Sequence, residues 1–142
     1  HLAHALGHEA CRRGFDVVFA RTSGMLAHLH GGRADGTYER RLGTYQRPEV
    51  LILDDFGLKP MRPPSAEDLY EVIEGRYGRG AIVLTTNRAF NEWPELFDNP
   101  VLASAALARL AHGAVQIVIT GDSYRTKGPK SEVRRALTAA KR

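Results

Sequence analysis

Two adjacent carboxylates, Asp54 and Asp55, follow the apolar run Val50-Leu51-Ile52-Leu53 and lead into Phe56-Gly57. A continuous apolar run of this kind reads as a strand buried on both faces of a parallel sheet. Open α/β sheets take their ligands in the crevice outside the carboxyl ends of such strands. In that position Asp54 would hold a magnesium ion through its water shell, because this ion gives up water reluctantly. Asp55 would polarise an attacking water in the manner of a general base. The plainer reading is that two acids simply carry a buried strand out into a solvated loop.

A second buried run, Ala81 to Thr86, ends in the same way, with the polar amide Asn87 followed by Arg88. Asn87 would contact a γ-phosphate or the attacking water; its plainer role is a turn residue or the cap of the next helix. In Leu107-Ala108-Arg109-Leu110 the leucines can pack inward while Arg109 points away. An arginine reaching a neighbouring subunit's nucleotide acts as a finger, worth roughly 10³–10⁵ in rate. The plainer reading is an ordinary solvated arginine, and Arg125 has a similar standing. These groups cover three of the tasks of phosphate hydrolysis: holding magnesium, orienting water and stabilising charge. The fourth task, cradling the phosphates, needs a Gly-x-x-x-x-Gly-Lys-Ser/Thr loop, and no such segment occurs in the chain.

Other polar groups carry less chemistry. His4 and His8 share a helix face at a spacing that suits zinc, but no further ligand cluster follows, and Glu9 is out of place for His-Glu-x-x-His. His28 and His30 lie on nearly opposite helix faces. Cys11 has no sequence partner and is expected to pack or to face solvent. Lys127, Lys130, Arg134, Arg135, Lys141 and Arg142 make a basic tail. It would either solubilise a frayed end or contact a phosphate backbone with a steep salt dependence.

The elements that must position these groups alternate. A helix over His1 to Arg13 is closed by Gly14 as the C′ residue, and a short strand follows over Asp16 to Arg21. Ser23 is placed to cap a second helix carrying Met25, Leu26 and Leu29, interrupted by Gly31-Gly32. A polar helix covers Tyr38 to Tyr45 and Pro48 stops it. After the strand Val50 to Leu53 and a stiff loop over Pro60 to Pro64, Ser65-Ala66-Glu67-Asp68 resembles a capping box. Its helix carries Leu69, Val72, Ile73 and Tyr77 and ends at Gly78-Arg79-Gly80. A short element at Asn91 with Trp93, Leu96 and Phe97, a helix over Pro100 to His112 and a last strand over Val115 to Ile119 complete the order. A short helix over Glu132 to Ala140 follows in the tail. Such alternation predicts an α/β fold, a parallel sheet with helices on both faces.

At 142 residues, 43% of them hydrophobic, the chain is sized for one domain. No apolar run approaches the ~20 residues that span a bilayer. A single cysteine excludes a disulfide framework and makes a reducing cytoplasm the expected home. A net charge of +4 permits nucleic-acid binding without showing it, since the cations are spread along the chain. The first residue is histidine, which suggests a processed or truncated sequence, and no secretory signal is visible at the start.

Val50 to Gly57, Leu84-Thr85-Thr86-Asn87-Arg88, Ala108-Arg109-Leu110 with His112, and Gly121-Asp122-Ser123-Tyr124-Arg125 together resemble the IstB-like ATP-binding proteins. These are AAA+ ATPases of the P-loop NTPase class that assist transposases of insertion sequences. They are similar to the DnaC helicase loaders and the ATPase domain of DnaA. The resemblance covers nearly the whole chain. It implies that Asp54 and Asp55 are the Walker B acids, Asn87 is sensor 1, and Arg109 is the arginine finger. Arg125 in Ser123-Tyr124-Arg125 would be a second nucleotide-sensing arginine, and Phe90-Asn91-Glu92-Trp93 is similar to the segment after sensor 1. Ala108 departs from the family's usual aspartate before the finger. His1-Leu2-Ala3 would follow directly on the Gly-Lys-Thr of the phosphate loop, so the Walker A segment and the strand before it would be missing.

On this resemblance residues 1–122 form a partial AAA+ core and 123–142 a basic tail. The cofactors are ATP and Mg2+. The partners are double-stranded DNA, a transposase and further copies of the chain, with no membrane. Without the phosphate loop, this chain is expected to bind ATP poorly. The alternative functions are a DnaC-like replicative helicase loader and a non-catalytic DNA-binding module.

Overall fold

The computed structural model describes residues 1–121. Three parallel strands, β1 (Val17–Arg21), β2 (Val50–Phe56) and β3 (Ala81–Thr86), lie side by side in that order. Ile52 at the middle of β2 is opposite Phe19 on one side and Val83 on the other. The central place of β2 accounts for its unbroken apolar sequence, because both of its faces are covered.

The covering helices are α1 (Leu2–Arg12), α2 (Thr22–Asp35), α3 (Tyr38–Gln46), α4 (Ser65–Arg76) and α5 (Pro100–Ala111), with a 3₁₀ helix over Phe90–Leu96. α1 packs on β1 and β2. Its approach depends on Gly7, where a Cβ would come within 2.9 Å of Ile52 Cδ1. Leu51 and Leu53 enter the main core with Met25 and Leu29 of α2, Leu69 and Val72 of α4 and Ala106 of α5. Burying one such leucine completely stabilises the fold by about 1.5–3 kcal/mol. Asn99 caps α5, its Oδ1 accepting from the N–H groups of Val101 and Leu102 at 2.9 and 3.1 Å.

Four local expectations are corrected. α2 starts at Thr22 with no side-chain cap, so Ser23 lies inside the helix. Gly31-Gly32 does not interrupt it. A Cβ on Gly32 would stand 2.9 Å from Tyr38 Cα, so this glycine lets α3 fold back against α2, and the helix ends at Gly36 with φ 77°. Ser65 to Asp68 is not a capping box, because Pro64 occupies the cap position. The Asp68 carboxylate instead accepts from Arg33 and Tyr38.

The fourth correction is the strand expected over Val115 to Ile119, which does not form. Val115 and Ile119 are 87% and 76% exposed. The run has strand-forming residues, but a strand exists only through the ladder it joins. The segment pairs with none of the three described strands. The helix expected over Glu132 to Ala140 and the basic tail lie outside the described residues.

Candidate functional site

β2 does not stop at Leu53 but runs on through both acids to Phe56. Against β3, Leu53 pairs with Leu84 while Phe56 pairs with Thr86. β2 thus carries one residue more than β3 over this interval, a β-bulge, and Asp54 and Asp55 share the place opposite Thr85. Bulges re-aim side chains and are common beside active sites. Asp55 takes φ 57°, the one described non-glycine residue with a left-handed backbone. Aspartate tolerates that region better than most residues, and the turn leaves its side chain exposed while Asp54 is half-buried.

Hydroxyls fix the pair. Thr85 Oγ1 donates to Asp54 Oδ1 and accepts from the Asp55 N–H at 3.1 Å. From β1's side, Thr22 Oγ1 donates to the Asp54 carbonyl oxygen at 3.1 Å. One step further, Thr86 Oγ1 donates to the Phe56 carbonyl at 2.7 Å and accepts from the Arg88 N–H at 3.1 Å. Arg88 Nε donates to the Gly57 carbonyl. Gly57, at φ 80°, leaves no room for a side chain, since a Cβ would fall 2.8 Å from Leu96 Cδ1. The loops after β2 and β3 are therefore tied together at the carboxyl end of the sheet.

Asn87 emerges at this same end, one residue beyond β3, exposed and with no side-chain hydrogen bond among the described residues. Asp54, Asp55 and Asn87 are thus brought to one edge of the sheet. Arg109 is not. Its guanidinium pairs with Glu74, donates to the Ala105 carbonyl at 3.1 Å, and lies 5.3 and 5.7 Å from the ring centres of Tyr70 and Tyr77. These partners belong to α5, α4 and the residue after α4, which leads through Gly78-Arg79-Gly80 into the first residue of β3. The acids lie beside the last residues of β3, whereas the partners of Arg109 include Tyr77, which precedes the first residue of that strand. Leu107 is buried while Arg109 keeps 28% of its side chain exposed, and its guanidinium is folded onto its own chain. Arg125 lies outside the described residues.

An acid pair with oxygen ligands suits magnesium, which usually takes one or two carboxylates and keeps several waters. No three His, Cys, Asp or Glu side chains among the described residues form a metal cage, and such a site does not need one. His4 stacks on Phe19 at 4.1 Å between ring centres, and His28 Nδ1 lies 2.8 Å from the Tyr45 hydroxyl. Cys11 is exposed. No helix among the described residues is long and apolar enough to cross a membrane.

Sequence reasoning missed Thr85. The signal was a pair of threonines, Thr85-Thr86, closing an otherwise apolar run that proves to be a half-buried strand at the edge of the described sheet. It also missed Arg76, which is fully buried and donates to the carbonyls of Tyr45, Pro48 and Ala81 at 2.8, 2.7 and 2.7 Å. Burial lowers its pKa. Arg76 falls in phase with Leu69, Val72 and Ile73, and that phase was the clue.

The chain is similar to several known proteins. The chain is 48% identical over 128 residues to a protein of Mycobacterium tuberculosis named for ATP binding in an insertion sequence, an alignment covering 89% of this chain and 51% of that protein. It is 37% identical over 127 residues to a protein of Geobacillus stearothermophilus named for ATP binding in insertion sequence IS5376, covering 89% and 51%. The chain spans about half the length of these relatives. Among solved structures, AMPPCP-bound DnaA from Aquifex aeolicus superposes with a TM-score of 0.70 at 18% identity, covering 95% of this chain and 41% of that one. The DnaC helicase loader gives 0.59 at 19% identity, covering 72% and 60%. At those identities the likeness is one of fold, a parallel sheet covered by helices. Residues 1–132 match the IstB-like ATP binding protein family, and the chain belongs to that family.

Proposed function

We propose that these residues form the ATP-hydrolysing part of an insertion-sequence helper, a cytoplasmic AAA+ ATPase that assembles on double-stranded DNA and delivers it to a transposase. The observation that supports this most is the acid pair at the bulged end of β2, with Asn87 at the same sheet edge. In this reading Asp54 would hold Mg2+ through water and Asp55 accepts a hydrogen bond from the attacking water. Asn87 donates towards the γ-phosphate. Bound Mg2+ would neutralise charge on the β- and γ-phosphates of ATP.

Arg109 serves a different nucleotide, that of an adjoining copy, which accounts for its distance from the acids of its own chain. Arg125 is proposed as a second nucleotide-sensing arginine. Residues 123–142 are proposed as a basic segment separate from the ATPase core and available to the DNA backbone. The relatives' names for ATP binding in insertion sequences support the assignment of the partner class.

Nucleotide-dependent DNA binding tests the reading. The complete gene product should bind duplex DNA several-fold more tightly with ATP–Mg2+ than without it and sediment as an oligomer on the DNA. Salt-sensitive DNA binding indifferent to ATP would contradict it and identify a non-catalytic DNA-binding module.

A further inference from the structure

The bulge that carries the acids creates a problem that a single side chain solves. An extra residue in one strand leaves ladder groups without partners. Here Asp55 has no register partner on β3, and its N–H is accepted by Thr85 Oγ1 at 3.1 Å. A hydroxyl has one proton to give and two lone pairs. With the Asp55 N–H on a lone pair, the Thr85 proton goes to Asp54 Oδ1. One oxygen therefore holds the carboxylate of the first acid and the backbone of the second.

Two consequences follow from that geometry. Asp54 has Oδ1 occupied and its main-chain carbonyl gripped by Thr22, so Oδ2 is its oxygen left for a ligand. Asp55 is kept at φ 57°, and this left-handed turn carries its side chain out to solvent rather than back along the sheet. Both acids depend on the same hydroxyl. We propose that Thr85 is the positioning residue of the acid pair, fixing Asp54 for the cation and Asp55 for the water through its hydroxyl; this rests on the reading of the pair given above.

The test compares Thr85→Val, which keeps the shape and removes the hydroxyl, with Thr85→Ser, which keeps the hydroxyl and removes the methyl. In the complete gene product Thr85→Val is expected to lower kcat roughly 10–100-fold, the usual effect of losing a partner that orients a metal-holding group. It should also raise the Mg2+ concentration giving half-maximal turnover and leave the KM for ATP unchanged. Thr85→Ser should recover most of the loss. Independently of turnover, the Asp55 amide should exchange with solvent faster in Thr85→Val than in the parent and Thr85→Ser proteins. A Thr85→Val protein with parental kcat and Mg2+ dependence, equal losses in Val and Ser variants, or unchanged exchange at Asp55 would each overturn the proposal. The two claims fail separately. Full turnover in Asp55→Asn removes the assignment of the acids, whereas loss in Asp55→Asn with full turnover in Thr85→Val removes only the role of Thr85.

Discussion

Arg109 on α5 is paired with Glu74 on α4 within one chain. The two side chains are 28% and 46% exposed, so water screens the pair and limits its worth to about 0.5–1 kcal/mol. That is weak enough for the arginine to be exchanged for a partner on another copy. If Arg109 serves a neighbour's nucleotide, Arg109→Ala and Asp55→Asn should each be inactive alone. A mixture of the two should regain part of the turnover, because some interfaces then join an intact acid pair to an intact arginine. Steady-state ATP hydrolysis across mixing ratios checks this, and a mixture as inactive as its components counts against the finger.

Asp55 illustrates the tension between stability and function. A non-glycine residue at φ 57° is strained relative to glycine. Asp55→Gly should therefore raise the stability by roughly 0.5–1 kcal/mol while removing the group that orients water. Thermal melting and ATP turnover on the same preparation check the two halves together. An Asp55→Gly protein that melts lower than its parent contradicts the strain argument.

Arg76 should be the most sensitive charged position for folding. Its guanidinium fills a fully buried slot and joins the end of α3 to the start of β3 through carbonyls. Lysine is a point charge with three donors and cannot reproduce that planar fork. Arg76→Lys should cost roughly 2–4 kcal/mol, as loss of satisfied buried polar groups does, and chemical denaturation measures it. A change below about 1 kcal/mol would place the stabilisation elsewhere.

Tyr38 gives a pH dependence with a defined sign. Burial first, then its hydrogen bond to Asp68, push its pKa from 10.0 up to about 12. The phenol is neutral below its pKa, so a raised folded value means the folded state holds its proton more tightly than the unfolded one. The contribution is complete below pH 10.0 and is lost as pH rises to about 12. The parent should lose stability across that window more steeply than Tyr38→Phe, and melts at successive pH values show whether the slopes differ. Equal slopes would remove Tyr38 as the source.

Much of this fold was legible because its signals were local. The apolar run of β2, the helical spacing of Leu69, Val72 and Ile73, and the Pro100 start of α5 each reflect forces acting within a few residues. The order of elements and the acids' position at a strand's carboxyl end followed from those. Long-range relations were not legible. Gly31-Gly32 reads as a helix break until α3 is seen packed upon it, and Asp68 reads as part of a cap until Arg33 and Tyr38 arrive from α2 and α3. Val115 to Ile119 has the composition of a strand, but composition says nothing about whether an edge is there to receive it. At the site, the two acids and Asn87 were visible as residue types. The bulge, the left-handed turn at Asp55 and the Thr85 hydroxyl depend on the register between β2 and β3, which no single segment encodes. Arg109 was visible as a candidate, but its capture by Glu74 was not.

The measurement closest to the central claim is ATP turnover and ATP binding by the complete gene product beside its Asp55→Asn variant. The amide keeps the size of the carboxylate and loses its ability to polarise water. The account predicts Mg2+-dependent turnover in the parent, its near-complete loss in Asp55→Asn, and equal ATP affinity in both. Undiminished turnover in Asp55→Asn would contradict the assignment of the acid pair and with it the proposed site.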